Sequence, residues 1–281
     1  MSASVFFVVI GAAVLHALWN ALVKSGSDKT YSMGAVVLGH IPLSLVLLPF
    51  VPMPTLESLP YLVGGILLHV GYQFFLLKSY QTGDLTQVYP IARGSAPLIV
   101  ALFSVSVLGL ELQLIEMIAI LTIGYGVVSL VLVHGGNGQS NGKAGVLAFI
   151  TGFFIASYSL VDGLGARIAG TSLGYYCWLA LGNGIIMMFY LMLSSPKTLS
   201  NIAIKGRLIF FFGGGASFIA YAIVIWAFTQ APIVLVTVLR ETSIIFALLI
   251  GVFFLKERLD LIKVVATLTT LLGAVLLRFS K

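Results

Sequence analysis

The amino-acid sequence predicts an all-α integral membrane protein with ten transmembrane helices, which form two inverted five-helix repeats. Three observations support this prediction: the composition, the length of the apolar runs, and the correspondence between the two halves of the chain. The chain has 281 residues, of which 59% are hydrophobic and only 9% are charged, and its mean hydropathy is +1.11. About a quarter of the residues of a soluble domain are charged, so the composition places this chain in a membrane.

Long apolar runs give the predicted helices. A helix needs about twenty consecutive apolar residues to cross the hydrocarbon core of a bilayer, and such runs occur ten times, separated by short clusters of Gly, Pro and polar residues. The predicted spans of the first half are Val5–Val23, Met33–Val51, Leu59–Ser79, Leu85–Leu108 and Leu114–Val133. The predicted spans of the second half are Ala144–Gly163, Leu173–Leu193, Leu208–Phe228, Ile233–Leu255 and Ile262–Phe279. The connections between them are too short to hold a soluble domain.

A polar segment divides the chain in the middle. Residues His134 to Gly142 are rich in Gly and Asn, which is typical of a flexible linker. We therefore predict a first five-helix repeat over residues 1–134, a Gly/Asn-rich linker over residues 135–143 and a second five-helix repeat over residues 144–281.

The two halves align with each other after a shift of 147 residues, taken from the sequence numbering. This shift places Arg93 on Arg240 and Thr122 on Thr269. Apolar identities arise easily by chance in such sequences, whereas paired intramembrane arginines do not. Because each half holds an odd number of spans, the second half enters the membrane from the opposite side. Inverted repeats are typical of transporters whose binding site lies between the halves, and they favour transport over a channel or an enzyme.

The fourth predicted span carries an arginine in an interrupted helix. Ionisable groups at membrane depth cost several kcal/mol unless they are paired or hydrated, so each is a candidate functional residue. Arg93 lies in the segment Tyr89–Pro97, which contains two prolines and a glycine, and the interruption frees backbone groups that must face protein or water. Arg93 suits an anionic substrate group such as a carboxylate or a phosphonate. The alternative is a structural arginine that is paired across the repeat axis.

The corresponding part of the ninth span contains Arg240 followed by Glu241. Adjacent residues of a helix point about 100° apart, so one of them can face a cavity while the other binds a neighbouring helix. Glu241 is a candidate for a protonatable coupling group or for a ligand of a substrate ammonium group. An internal ion pair is the alternative for both residues.

Three further spans carry polar and aromatic residues at helical spacing. His16, Trp19 and Asn20 share one face of the first span, Tyr158 and Asp162 lie on the sixth, and His69, Tyr72 and Gln73 share a face of the third. The alternatives are hydrogen bonds between helices for the histidines and a place near the membrane interface, beside Arg167, for Asp162. We expect a cavity lined by spans one, three, four, six, eight and nine. The predicted substrate-binding residues are Arg93, Arg240, Glu241, Trp19, Asn20, Tyr72, Tyr89, Tyr158 and Tyr221, and the predicted coupling residues are Glu241, His16 and Asp162.

Several classes of function are not supported by the sequence. The four histidines and the single Cys177 do not have the spacing of a zinc site. The Gly213–Gly215 run lacks the Gly-Lys-Ser/Thr ending of a phosphate-binding loop, so no cofactor and no nucleotide-driven step are predicted. The fifteen basic residues are scattered, which argues against a nucleic-acid partner.

The chain resembles the EamA-like family of the drug/metabolite transporter superfamily. The resemblance rests on the ten spans in two halves and on the run Pro97-x11-Gly109-Leu-Glu111-Leu, which is echoed by Leu255-Lys-Glu257-Arg-Leu259. It covers essentially the whole chain. In the usual family pattern, Leu-Gly-Glu ends the fourth and ninth helices, whereas Lys256 replaces the glycine here and the first glutamate is displaced by one position.

The resemblance implies a non-enzymatic, multi-pass protein of the bacterial inner membrane that performs secondary transport or facilitated diffusion of amino acids, nucleobases, sugars or similar metabolites. The intramembrane residues Arg93, Arg240 and Glu241 favour an amino-acid-like, anionic or zwitterionic substrate, and the inverted repeat favours alternating access. The alternatives are an uncoupled channel or membrane partner protein and, in another class, a lipid-modifying enzyme. Import or export, counter-transport of a proton or a second substrate, and a monomer or homodimer all stay open. The family habit favours cytoplasmic termini, whereas the positive charges of the loops favour the opposite orientation.

Overall fold

A computed structural model describes residues 1–25, 28–82, 85–129 and 142–243, together with six two-residue pieces up to residue 276. The pieces are residues 245–246, 249–250, 264–265, 268–269, 272–273 and 275–276. All regular structure in the described part of the chain is helical. Most of the predicted tenth span and the second half of the ninth lie outside the described residues.

The helices of the first half follow the apolar runs closely. Asp28 begins the second helix because its carboxylate accepts the backbone N–H groups of Thr30 and Tyr31 at 2.8 and 3.1 Å, which is the usual role of an N-cap residue. The helices are α1 (Ala3–Ser25), α2 (Lys29–Leu38), α3 (His40–Leu47), α4 (Leu59–Thr82), α5 (Leu85–Ser106) and α6 (Leu114–Ser129), with short 3-10 turns at Leu48–Phe50 and Leu56–Ser58.

The second half starts with two long helices. Thr171 caps the second of them through a hydrogen bond from the backbone N–H of Gly174 at 3.1 Å, and a π-helical turn precedes the fourth. The helices are α7 (Gly142–Ile168), α8 (Ser172–Ser194), α9 (Pro196–Lys205), the π-turn (Ile209–Gly213), α10 (Gly214–Gln230) and α11 (Ile233–Arg240). The short α9 is a difference from the prediction. It has only 10 residues, with Ile202 buried, so it is too short to register as a span.

Within the described residues, six helical segments are long and apolar enough to cross a membrane. They confirm the first three predicted spans and the sixth to eighth. The segments are Ala3–Val23, Lys29–Phe50, Leu56–Ser79, Lys143–Ile168, Ser172–Ser194 and Ile209–Gln230. Shorter apolar helices, Ile91–Ser106 and Leu114–Gly126, occupy the positions of predicted spans four and five. The ten-helix inverted arrangement stays a prediction.

The outer surface carries many large apolar side chains. Large side chains such as Phe7, Leu67, Phe149 and Phe212 are more than half exposed, and they lie on the spans. Contiguous exposed apolar surface of this extent is stable only against lipid or another protein. Together with the six spans, it identifies an integral, multi-pass membrane protein.

The second predicted span is interrupted at Gly39, where α2 ends and α3 begins. A Cβ atom at Gly39 would collide with the backbone oxygen of Phe210, and one at Gly214 would lie 2.9 Å from the Cα of Gly39. Glycine at both positions therefore lets the backbones of the two segments touch. Such close contacts between small residues are a common way of packing helices in membranes.

The helices pack in corresponding pairs. Helix α4 packs along α7, and α1 packs along α10. Similarly, α5 contacts α7, and α1 contacts α11. The second predicted span meets the seventh through α3 and α8. When the two halves are exchanged, the α4–α7 contact corresponds to the α1–α10 contact, the α5–α7 contact to the α1–α11 contact, and the α3–α8 contact to itself. These helices surround one central group of polar residues.

Candidate functional site

A cavity with a volume of about 80 Å³ lies between the two halves of the chain. This volume holds several water molecules. Most of its wall comes from α1, α2, α4 and α8, with single contributions from α3, α7 and α11 and two from α10. The polar and aromatic residues of the wall are His16, Trp19, His40, His69, Tyr72, Gln73, Tyr158, Tyr176, Asn183, Ser217, Tyr221 and Arg240.

The wall differs in part from the one predicted. The second and seventh spans contribute through α2, α3 and α8, although they were not expected to. The fourth span was expected to contribute, but no described side chain of α5 belongs to the wall. The side chain of Tyr89, a predicted binding residue on that span, lies outside the described residues.

Arg240 presents a guanidinium group to the cavity from the last residue of α11. Its Nη1 atom donates a hydrogen bond to Ser159 Oγ at 3.4 Å, and its Cζ atom lies 5.2 Å from the ring centroid of Tyr221. No carboxylate in the described part of the chain forms an ion pair with it. Since a guanidinium group has five N–H donors, Arg240 retains capacity to bind an anion.

Arg93 is paired, in contrast, away from the cavity wall. Its Nε atom lies 3.2 Å from Glu241 Oε2, and its Nη2 atom donates to Ser243 Oγ at 3.3 Å. Both partners of this ion pair are almost completely buried. Arg93 lies on α5 and Glu241 follows α11, so the pair joins the two halves of the chain. This is the internal ion pair that the sequence left as an alternative for each residue.

Asp162 forms the second buried polar cluster. Its Oδ2 atom lies 2.8 Å from His69 Nε2 and accepts a hydrogen bond from the Tyr221 hydroxyl at 2.7 Å. The side chain is fully buried. Arg167, the alternative partner for Asp162, instead donates to the carbonyl oxygens of Phe228 and Ala231 at 2.8 and 2.9 Å. The His69–Asp162–Tyr221 cluster therefore connects α4, α7 and α10.

Aromatic rings cover this cluster on the cavity side. His69 stacks on Tyr158 with ring centroids 4.1 Å apart and an interplanar angle of 22°. Tyr158 meets Tyr72 and Tyr221 edge to face at 5.5 and 6.0 Å, and Tyr176 lies 5.5 Å from Tyr221. The structure thus brings together the predicted residues Tyr72, Tyr158 and Tyr221.

The predicted residues of α1 divide into two groups. Trp19 and His16 line the cavity, and the Trp19 Nε1–H group donates to His16 Nδ1 at 3.3 Å. Asn20 does not belong to the wall, because its Nδ2 atom donates to the backbone oxygen of His16 at 2.8 Å. Binding of the substrate by Asn20 stays a prediction.

Sequence reasoning missed four polar residues of the wall. Tyr176 and Asn183 lie on α8, Ser217 lies on α10, and His40 is the first residue of α3. The side-chain atoms His40 Nε2 and Asn183 Oδ1 are buried without a hydrogen-bond partner among the described residues. Buried polar atoms normally have partners, so a polar ligand in the cavity can pair with both. The sequence contained one signal for this part of the wall, the amide residue Asn183 in the middle of the largely apolar helix α8.

No group of metal-binding side chains occurs in the part of the chain that the structure describes.

Comparisons with known proteins give two matches. One solved structure, described as "Crystal structure of protein", superposes with a TM-score of 0.77 and covers 99% of this chain and 99% of its own. Its sequence identity is 18%, so it shows a shared fold and nothing about the substrate. No curated protein matches the chain.

A family model gives the second result. The model of the EamA-like transporter family matches residues 142–279, which are the second half of the chain. The members of this family are membrane transporters rather than enzymes. The resemblance predicted from the sequence is confirmed over residues 142–279, which match the EamA-like transporter family, part of the drug/metabolite transporter superfamily.

Proposed function

We propose that the protein is a secondary transporter that moves a small polar metabolite with an anionic group by alternating access. The observation that supports this most directly is the position of Arg240, whose guanidinium faces the central cavity and forms no ion pair with a described carboxylate. A buried, unpaired cation at membrane depth is costly. An anionic substrate removes that cost when it binds, because it supplies the missing charge.

The remaining charges near the cavity direct the anionic group to Arg240. Arg93 is neutralised by Glu241, so it does not compete. The Asp162 carboxylate is covered by His69 and Tyr221 and does not belong to the cavity wall. Guanidinium groups bind carboxylates and phosphonates through two parallel hydrogen bonds. The anionic group is therefore held at Arg240.

The aromatic wall extends the proposal to zwitterions. Trp19, Tyr72, Tyr158 and Tyr176 line the cavity, and the face of an aromatic ring attracts an ammonium group. An amino-acid-like molecule can place its anionic end on Arg240 and its ammonium end against these rings. Simple cations lack the anionic end and are excluded by the charge of Arg240.

Alternating access is supported by the bonds that cross between the two halves. The Arg93–Glu241 ion pair is one of them, and the His69–Asp162 contact is another. The paired helix contacts that are exchanged between the halves are those expected of a two-fold repeat. Movement of one half against the other would open the cavity to each side of the membrane in turn.

A thermal-shift experiment tests the charge preference. The purified protein is heated with equal concentrations of ethanesulfonate, β-alanine, choline and uracil, which represent an anion, a zwitterion, a cation and a neutral molecule. A ligand that binds the folded state raises the melting temperature. We expect ethanesulfonate and β-alanine to raise it, and choline and uracil to leave it unchanged.

Two variants complete this experiment. Arg240→Gln removes the guanidinium from the cavity and should abolish the shift. Arg167→Gln removes an arginine that lies outside the cavity wall and should retain it. Stabilisation by choline alone, or by none of the probes, contradicts the proposal.

Proteoliposomes distinguish transport from the alternatives. Saturable uptake of labelled β-alanine that is accelerated by unlabelled β-alanine on the opposite side is expected of a carrier. Flux that does not saturate would indicate a channel, and chemical change of the probe would indicate an enzyme.

A further inference from the structure

We propose that the His69–Asp162–Tyr221 cluster binds a proton, and that the proton and the anionic substrate bind the same state of the carrier and cross the membrane together. This inference rests on the proposed function, because it concerns the energy source of that same site. It depends on three features of the described residues: an incompletely bonded carboxylate, a histidine in direct contact with it, and a tyrosine that connects both to Arg240.

The carboxylate of Asp162 has unequal oxygen atoms. Oδ2 is shared by His69 and Tyr221, whereas Oδ1 is buried without a hydrogen-bond partner among the described residues. A Cβ atom at Gly65 would collide with Oδ1, so only a glycine leaves room for it. An ionised carboxylate with a bare oxygen at membrane depth is costly, and adding a proton to the cluster reduces that cost.

His69 supplies the second titratable group of the cluster. A histidine changes its charge near neutral pH more readily than other side chains, and the 2.8 Å contact between His69 Nε2 and Asp162 Oδ2 allows the two groups to share one proton. The added proton therefore belongs to the cluster. It converts a site with one negative charge into a neutral site, either as a neutral acid beside neutral histidine or as an imidazolium paired with a carboxylate.

Tyr221 connects this site to the substrate site. Its hydroxyl donates to Asp162 Oδ2, and its ring lies 5.2 Å from the Arg240 guanidinium carbon. Before protonation, the negative charge of Asp162 opposes an anion at Arg240. After protonation this repulsion is absent, so the affinity for an anion rises. Because coupling between two sites is reciprocal, binding of the anion must also increase the affinity for the proton.

Other titratable groups around the cluster provide the controls. Those that face it are His40 on α3, Tyr72 on α4, Tyr158 on α7, Tyr175, Tyr176 and Cys177 on α8, Arg240 on α11 and His16 on α1. Tyrosine, cysteine and arginine ordinarily keep one protonation state between pH 5 and 8. Among these groups, only His16 and His40 could take up the proton instead of the cluster. Neither forms a hydrogen bond with Asp162 in the described part of the chain.

The test uses ethanesulfonate, because a sulfonate stays ionised over the whole range and any proton that is taken up belongs to the protein. Its dissociation constant is measured by titration calorimetry between pH 5.5 and pH 8 in buffers of different ionisation enthalpy. For the wild type we expect affinity to increase on the order of tenfold toward low pH, with uptake of up to one proton per bound anion. Asp162→Asn should make the affinity independent of pH.

Further variants separate the cluster from its neighbours. His69→Gln should also remove the pH dependence, whereas His16→Gln and His40→Gln should retain it, whatever their affinity. Tyr221→Phe keeps both titratable groups but lacks the connecting hydroxyl, so the pH dependence should become weaker. If the Asp162 and His69 variants do not fold, the wild-type titration is decided together with His16→Gln and His40→Gln, and loss of the pH dependence in either histidine variant would overturn the inference.

The outcomes distinguish this inference from the proposed function. If ethanesulfonate binds the wild type with the same affinity at all pH values and without proton uptake, the inference is wrong and the proposed function stands. Absence of binding by ethanesulfonate and β-alanine at every pH overturns the proposed function first. In proteoliposomes, uptake of labelled ethanesulfonate should make the external solution more alkaline, and acidification would overturn the direction of coupling.

Discussion

The two arginines that the repeat places in corresponding positions have different surroundings. Arg93 and Arg240 are both nearly buried, with 4% and 5% of their surface exposed, and each donates to a serine hydroxyl of another helix. Arg93 is neutralised by Glu241, whereas Arg240 faces the cavity and the ring of Tyr221. The same side chain therefore joins the halves at one position and is available to a ligand at the other.

The difference arises from a single asymmetry in the sequence. Glu241 follows Arg240 in the second half, whereas Gly94 follows Arg93 in the first. The carboxylate that follows Arg240 in the sequence reaches the arginine of the other half. One added carboxylate thus neutralises Arg93, whereas Arg240 has no ion pair with a carboxylate of the described residues. A repeat alone does not identify which copy of a residue binds the substrate.

The largest effect should come from breaking the Arg93–Glu241 pair. Arg93→Met or Glu241→Met leaves one buried charge unpaired, and the free energy of unfolding should fall by about 3–5 kcal/mol. It can be measured by denaturation with SDS in mixed micelles. The double variant Arg93→Met/Glu241→Met removes both charges and should recover most of the loss. If each single variant is as stable as the wild type, the pair does not hold the halves together.

A smaller effect is expected where Arg240 keeps its charge but loses its shape. Arg240→Lys retains a cation, but an ammonium group cannot form two parallel hydrogen bonds or stack on Tyr221 as a guanidinium does. We expect the affinity for ethanesulfonate to fall about tenfold, with little change in stability. Calorimetric titration of both proteins measures the ratio. An unchanged affinity would show that Arg240 acts as a point charge alone.

The smallest effects are expected at the two serine partners. Ser243→Ala removes a hydrogen bond from Arg93, and Ser159→Ala removes one from Arg240. Each should cost about 0.5–1.5 kcal/mol. For Ser243→Ala the loss should be visible in the free energy of unfolding, and for Ser159→Ala in the affinity for the anion. If both variants lowered the free energy of unfolding and neither changed the affinity for the anion, the proposed difference between the two arginines would be contradicted.

The sequence predicted those parts of the fold that depend only on the pattern of apolar and polar residues along the chain. Apolar runs of span length gave the first three and the sixth to eighth spans. Polar residues at helical spacing gave the faces of His16 and Trp19, His69 and Tyr72, and Tyr158, because such residues must avoid lipid. The interruption at Gly39 was not predicted. It arises from contact with α10, which is remote in the sequence, and no local pattern contains it.

Pairing partners were the part of the site that the sequence could not give. Asp162 has a nearby arginine in the sequence, Arg167, but its partners lie on two other helices. Glu241 likewise pairs with an arginine on α5 and not with its neighbour. Adjacent residues on a helix point in different directions, so proximity along the chain is a poor guide to contact. Partners across helices depend on how the helices pack.

The contact between Gly39 and Gly214 has a mechanical consequence. Gly39 belongs to the first half and Gly214 to the second, and their backbones touch with no side chain between them. Because no side chain lies between the two backbones, one can slide along the other without a change of side-chain rotamer at this contact, as the proposed alternating access requires.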